Sequence, residues 1–289
     1  MDQYSYSEKY FTEGMTGWHA LSYGAISEAF RNFAGGSPIK RLLDFGCGDG
    51  FYGGLLSEHT DRLDGVDLSA TVLSDGNRRC YHEVFETDLG RPWKPPGELY
   101  DALFSSEVIE HVEDYQQFLD NAFHATKPGG KLFLTTTTYS FALFVLLTNP
   151  AEGVTLTALL EFARGWFGNL ECRSRFVRRI WGWTKGHHHG FSKRQLREAI
   201  EKSGFNLERM AYLHVQPVID PGFFRNPFRN VRFRRLILLL LPVCRFFVRL
   251  VNYTCRKWDL YAPNVVLIAV RPGTETSGHP QRESPYPHV

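Results

Sequence analysis

Between residues 41 and 138 the chain alternates short apolar runs, each bounded by Gly or Asp, with longer segments of mixed polarity. Strands buried on both faces read as unbroken apolar runs, and the crossovers between them keep one polar side, so the alternation predicts βα units feeding a parallel sheet. The runs place strands at 41–45, 63–66, 81–85, 102–105 and 131–137. Lys127, Pro128, Gly129 and Gly130 combine Pro and Gly punctuation with the β-branched run that follows, and predict a turn closing off the last of these. After Thr138 the rhythm breaks. Residues 141–147 are wholly apolar and Trp166, Phe167, Trp181 and Trp183 follow, which predicts an inserted helical lid over 139–186. Ser192 is placed as the N-cap of a helix running through Ile200 to Lys202 and closed by Gly204, with a further strand at 205–213. A second interruption over 217–261 precedes a last apolar strand at 264–270.

Composition narrows the class. A chain of 289 residues buries one sizeable core without needing a second. The expected organisation is a single domain over 1–271, carrying the insertions 139–186 and 217–261, with a flexible, apolar-poor tail at 272–289. Lys and Arg total 33 against 31 Asp and Glu, a net charge of +2, so the overall balance gives no case for a nucleic-acid partner. The five cysteines are scattered without a CxxC pair, which argues against both a disulfide framework and a thiolate zinc site and fits a reducing, cytoplasmic compartment. The first residues lack the basic start and apolar stretch of a signal peptide, and no export is expected.

The segment with the most chemical content is Leu42-Leu-Asp-Phe-Gly-Cys-Gly-Asp-Gly50, an apolar strand running into Gly46, Gly48 and Gly50. Glycines there let the backbone turn sharply and approach a ligand closely, as a nucleotide-like cofactor requires. The spacing is GxGxG, with Phe51 where a dinucleotide site would want its third glycine, so a dinucleotide is disfavoured. Asp67, closing the next strand, is placed either to accept from both ribose hydroxyls or to cap the following helix. Asp88, after the third strand, is either an acceptor for an exocyclic adenine amine or a turn residue.

These segments, with 105–112 and 127–137, resemble in order the successive motifs of class I S-adenosylmethionine-dependent methyltransferases, over residues 40–138 and more weakly at 187–213 and 264–270. The resemblance implies a doubly wound, Rossmann-like α/β fold with a seven-stranded sheet of order 3-2-1-4-5-7-6, the last strand antiparallel, and helical insertions after strands 5 and 6. It implies S-adenosyl-L-methionine as cofactor, held by Asp44, Gly46, Cys47, Gly48, Asp67, Leu68, Asp88, Leu89 and Ser106, with Cys47 packing in the loop. No cysteine nucleophile is needed, because the sulfonium is already activated.

Glu107, Glu110 and His111 follow the fourth strand at i, i+3 and i+4, one face of a helix, and His187, His188 and His189 lie far downstream. Mixed oxygen and nitrogen donors of this kind suit Mg, Mn, Fe or Zn. The pattern is similar to that of ubiquinone-biosynthesis O-methyltransferases and of small-RNA 3′-end methyltransferases, which implies Glu107, Glu110, His111 and His187 or His189 as ligands of a divalent ion that lowers the pKa of an acceptor hydroxyl. Two other assignments stay open: metal-free acid–base catalysis by His111 with Glu107, and a structural role in which the acids favour a helix start and the histidines line a wet loop.

The insertion at 217–261 holds Arg225, Arg229, Arg232, Arg234 and Arg235 ahead of a Leu-rich run, then Pro242, Arg245 and Arg249. Within it, the stretch 236–251 is too short and too interrupted to span a bilayer, which takes about 20 apolar residues. It reads either as an interfacial helix over 230–251 touching an anionic membrane surface or as a buried lid or dimer helix, and the continuous Leu run speaks against RNA contact. With the apolar 141–147 stretch it points to an acceptor with a hydrophobic part. The expected function is O-methylation of a small or lipid-linked hydroxyl compound by a cytoplasmic, peripherally membrane-bound enzyme. The alternatives are 2′-O-methylation of an RNA 3′ end and a catalytically silent S-adenosylmethionine-binding module.

Overall fold

The computed structural model describes residues 17–35, 39–73, 75–137, 188–213 and 264–273. The expected insertions at 139–186 and 217–261, the candidate ligand His187 and the tail beyond residue 273 lie outside the described residues. Helix α1 (Gly17–Ala34) leads into strand β1 (Ile39–Phe45), α2 (Gly53–Ser57) and β2 (Thr60–Asp67). Then come α3 (Asp75–Arg78), β3 (Glu83–Glu86), β4 (Tyr100–Ser106), α4 (Tyr115–Ala125) and β5 (Thr126–Thr137). Helix α5 (Lys193–Lys202), β6 (Asn206–Leu213) and β7 (Asn264–Val270) complete the described elements.

The seven strands form one sheet in the order β3-β2-β1-β4-β5-β7-β6. Strands β1 to β5 pair in parallel, and β7 runs antiparallel between β5 and β6. The order and the antiparallel last strand are those that the family resemblance implies. Side chains alternate across each strand, so adjacent apolar residues serve opposite faces. Leu43, Leu103 and Leu134 pack with Phe118, Leu119, Leu196 and Ile200 of α4 and α5. Leu42, Phe104 and Phe133 pack with Ile26, Phe30, Leu55 and Leu56 of α1 and α2. Covering both faces is what makes these strands continuously apolar in sequence.

Helix starts follow local chemistry. Asp114 caps α4 by accepting from the Gln117 amide, and Ser192 forms the expected cap of α5 as a full capping box with Gln195. Gly204, at φ 94°, closes α5.

Three local expectations are corrected. The third strand begins at Glu83, because Tyr81 turns its ring under the glycine loop instead of entering the sheet. The 127–130 turn does not precede β5 but lies inside it: Thr126 pairs with Tyr100 and Lys131 with Ala102, so the residues between bulge out of the ladder. Glu107, Glu110 and His111 do not share an α-helical face, since only Ile109–His111 coils, as a single 3-10 turn.

Candidate functional site

Past β1 the chain stays stitched to β2, with Gly46 and Cys47 both donating to the Val66 carbonyl at 2.8 and 3.0 Å. Gly46, Gly48 and Gly50 adopt φ of 93°, 52° and 80°, a region that disfavours side chains. They have different surroundings. A Cβ on Gly46 would meet Val108, and one on Gly50 would meet Asn77, but one on Gly48 would meet nothing within 4 Å among the described residues. Gly48 therefore fronts open space. Its N–H donates to Asp67 Oδ2 at 2.8 Å, tying the glycine loop to the end of β2.

Asp44, buried just before the loop, accepts from the Tyr81 hydroxyl at 2.6 Å, and burial with the neighbouring charges of Asp67 and Asp49 pushes its carboxyl up to about 7. Burial likewise raises Asp67, against hydrogen bonds from Gly48, Ser69 and Leu68 amides. The Cys47 thiol is buried and pushed up by desolvation and by Asp44, which makes it a packing residue and not a nucleophile. Leu68 is 67% exposed, the only large hydrophobic side chain so exposed among the described residues. Asp88 is exposed and engaged locally, accepting from Gly90 N–H at 2.9 Å and pairing with Arg91 at 3.2 Å. Leu89 is buried in the core on the α4 side.

At the ends of β4 and β5 a second polar group forms. Glu107 sits at φ 58°, the one described residue other than glycine in the left-handed region. Its carboxyl accepts from Thr135 Oγ1 at 3.2 Å and from the Asn264 side chain. Ser106 Oγ lies 3.0 Å from Thr135 Oγ1 and bonds the Tyr52 hydroxyl. Glu110 is fully buried and accepts from Thr136 Oγ1 at 2.8 Å. Burial raises Glu110 to about 7, and burial together with the charge of Glu110 raises Glu107 well above the usual carboxylate range. Among the described residues, no N–H or O–H reaches three buried oxygens here, Glu110 Oε1, Thr137 Oγ1 and Asn264 Oδ1, while the Glu107 and Glu110 carboxyls hydrogen-bond each other. Thr137 and Asn264 face each other across β5 and β7, and the Thr137 amide donates to Glu110.

Of the histidine run, His188 and His189 are brought to the same place. His188 and His189 N–H groups both donate to the Glu110 carbonyl, at 2.7 and 3.1 Å, and His189 Nε2 lies 2.9 Å from the Glu113 carbonyl. His111 is half-buried beside them. Sequence reasoning passed over Tyr52, Tyr81, Thr135, Thr136 and Asn264. Of these only Asn264, a polar residue opening an otherwise apolar strand, carried a signal.

A family model described as a methyltransferase domain matches residues 18–209. The chain belongs to this family. Its class is that of S-adenosylmethionine-dependent methyltransferases. Ubiquinone biosynthesis O-methyltransferase of Bos taurus, a mitochondrial protein, is 31% identical over 136 residues, covering 41% of this chain and 36% of that protein. The enzyme of the same name from Coxiella burnetii is 30% identical over 127 residues, 40% of this chain and 51% of that protein. The chain thus spans between a third and about half of these relatives' length. Among solved structures, an S-adenosylmethionine-dependent methyltransferase from Mesorhizobium loti matches with a TM-score of 0.52 at 19% identity, over 87% of this chain and 100% of that one. The N-methyltransferase NodS of Bradyrhizobium japonicum, in complex with S-adenosyl-L-homocysteine, matches at 0.52 and 13% over 92% and 93%. These two likenesses concern the fold.

The open face of Gly48 and the bare side chain of Leu68 fit the family's cofactor, because both leave unfilled surface where a nucleoside with an amino-acid arm would pack. The metal set fits less well. Among the described residues no three His, Cys, Asp or Glu side chains are grouped to hold an ion, and Glu110 Oε2 is committed to Thr136. Likewise, among the described residues no helix is long and apolar enough to cross a membrane.

Proposed function

We propose that this methyltransferase transfers the sulfonium methyl of S-adenosylmethionine to a hydroxyl oxygen of a small or lipid-linked acceptor. The observation that carries the acceptor's chemistry is the trio of buried oxygens that no N–H or O–H reaches among the described residues, Glu110 Oε1, Thr137 Oγ1 and Asn264 Oδ1. Buried polar atoms without partners are costly, and the hydroxyl groups of an acceptor can both donate to the Glu110 and Asn264 oxygens and accept from the Thr137 hydroxyl. The likeness to the ubiquinone O-methyltransferases supports oxygen as the receiving atom.

In the proposed site Gly46, Cys47 and Gly48 carry the cofactor's methionine arm with Asp44 as its charged partner, Asp67 accepts from the ribose hydroxyls, and Leu68 flanks the adenine, with Leu89 contributing its backbone while its side chain stays in the core. Asp88 receives the adenine amine on exchanging its contact with Arg91, and Ser106 closes the methyl end. The acceptor oxygen attacks the methyl carbon in line as the carbon–sulfur bond breaks, leaving S-adenosyl-L-homocysteine. The acceptor's proton passes to Glu107 or His111 acting as base. Glu107 suits this role by its raised proton affinity and its strained backbone at the crevice. If an ion does bind, Glu107, Glu110, His111 and His187 are the residues to hold it, and it would polarise the acceptor hydroxyl. The Arg-flanked segment 230–251 would hold the enzyme against an anionic membrane surface where lipid-linked acceptors reside.

The test is transfer of labelled methyl from S-adenosylmethionine into a cell extract, partitioned among organic solvent, aqueous small molecules and nucleic acid, with an Asp67→Ala control. Label in either of the first two fractions, absent in the control, is expected. Label confined to RNA would overturn the acceptor assignment, and cofactor binding without label in any fraction would make the chain a binding module.

A further inference from the structure

Tyr81 takes no part in the transfer described above, yet it is the residue most tightly built into the glycine loop. Its hydroxyl donates to Asp44 Oδ2 at 2.6 Å, with both side chains buried. Its ring is the floor on which three glycines rest. A Cβ on Gly53 would lie 2.8 Å from Tyr81 Cε2, one on Gly65 3.1 Å from Cδ1, and one on Gly50 3.2 Å from Cε2. Close packing on several sides fixes the ring, and a fixed ring aims its hydroxyl at one point.

Asp44 needs such a guide. Among the described residues, the other groups around it are the carboxylates of Asp67 and Asp49, the Cys47 thiol and the Tyr52 hydroxyl, and none is a cation. A buried carboxylate among like charges is a receptor for a cationic group brought by a ligand. We propose that Tyr81 is a positioning residue for the amino-acid end of the cofactor: its hydroxyl orients the Asp44 carboxylate that receives the ammonium group of S-adenosylmethionine. This rests on the glycine loop being the cofactor site. The same hydrogen bond favours the ionised form of Asp44, opposing the burial that raises it.

The experiment compares the affinities of Tyr81→Phe and wild type for two probes by calorimetry. S-adenosyl-L-homocysteine carries the ammonium, and 5′-methylthioadenosine shares the nucleoside but lacks the amino-acid arm. Tyr81→Phe keeps the ring and the loop's floor. Affinity for S-adenosyl-L-homocysteine is expected to fall about tenfold, the scale of one lost hydrogen bond to a charged group, while that for 5′-methylthioadenosine is unchanged. The pH below which S-adenosyl-L-homocysteine binding weakens is expected to rise in the variant, because Asp44 loses a donor to its ionised form. In an Asp44→Asn background, Tyr81→Phe is expected to leave the ratio of the two affinities unaltered. Equal weakening of both probes would show a merely structural tyrosine and overturn the assignment, as would an unchanged affinity for S-adenosyl-L-homocysteine. Wild-type protein that binds neither probe would instead refute the cofactor site itself.

Discussion

Gly46 and Val108 are in such close packing that a methyl group on Gly46 would lie 2.5 Å from Val108 Cγ2. The contact joins the glycine loop after β1 to the turn after β4, the two segments between which methyl transfer is proposed. Gly46→Ala adds this clash to a backbone at φ 93°, and the variant is expected to lose about 3 kcal/mol of stability. Shaving the neighbour should recover part of the loss. In a double-mutant cycle by urea unfolding, Gly46→Ala and Val108→Ala together are expected to cost less than the sum of their separate effects. Strict additivity would mean that the loop relaxes away from Val108 and that backbone strain alone is felt.

Gly48 separates stability from binding. A Cβ there meets no atom of the described residues within 4 Å, and its φ of 52° is one that alanine adopts at a cost of about 1 kcal/mol. Gly48→Ala is therefore expected to unfold within a few degrees of wild type, yet to bind S-adenosyl-L-homocysteine at least tenfold more weakly, because the new methyl occupies space assigned to the ligand. Wild-type affinity in this variant would move the cofactor off the loop.

Much of this site was legible in the chain, and the failures have physical causes. Apolar runs marked the five inner strands, because burial on both faces leaves a pattern that the mixed-polarity crossovers do not blur, whereas the edge strands β3 and β6 carry exposed residues and a weaker pattern. Ser192 announced α5 because its cap is a local interaction. Helix α1, which covers one face of the sheet with Ile26 and Phe30, was not anticipated. Glu107 and Glu110 have helical spacing, but the chain leaves β4 through a residue at φ 58°, and no propensity of glutamate predicts that backbone. Tyr81 looked like a strand residue because tyrosine favours strands, and only the tertiary space under Gly50, Gly53 and Gly65 shows why it stays out.

The strain at Glu107 predicts a trade between stability and activity. A non-glycine residue at φ 58° costs about 1 kcal/mol or more, and the carboxyl is half-buried next to Glu110. Glu107→Gly relieves both, at the expense of greater freedom in the unfolded chain. At pH 8 the variant is expected to be no less stable than wild type by thermal unfolding, while methyl transfer falls at least a hundredfold. Retained transfer would assign the base to His111.

Stability should also depend on pH in a direction set by Asp44. Its carboxyl, ordinarily near 3.8, is pushed up to about 7 by burial, and Glu110 is raised from 4.5 to about 7 in the same sense. Between about pH 4 and 7 the folded protein therefore holds protons that the unfolded chain releases, so unfolding stability falls as pH rises through that window. Asp44 alone accounts for on the order of 4 kcal/mol. Urea unfolding of the ligand-free protein at pH 5 and pH 8 is expected to show the lower midpoint at pH 8, and Asp44→Asn, which cannot ionise, is expected to shrink that difference. S-adenosyl-L-homocysteine should act oppositely, stabilising more at pH 8 than at pH 5, because its ammonium favours the ionised carboxylate that folding alone disfavours. A wild-type midpoint that rises with pH, undiminished by Asp44→Asn, would mean that Asp44 is ionised throughout and that some cation already compensates it in the free protein.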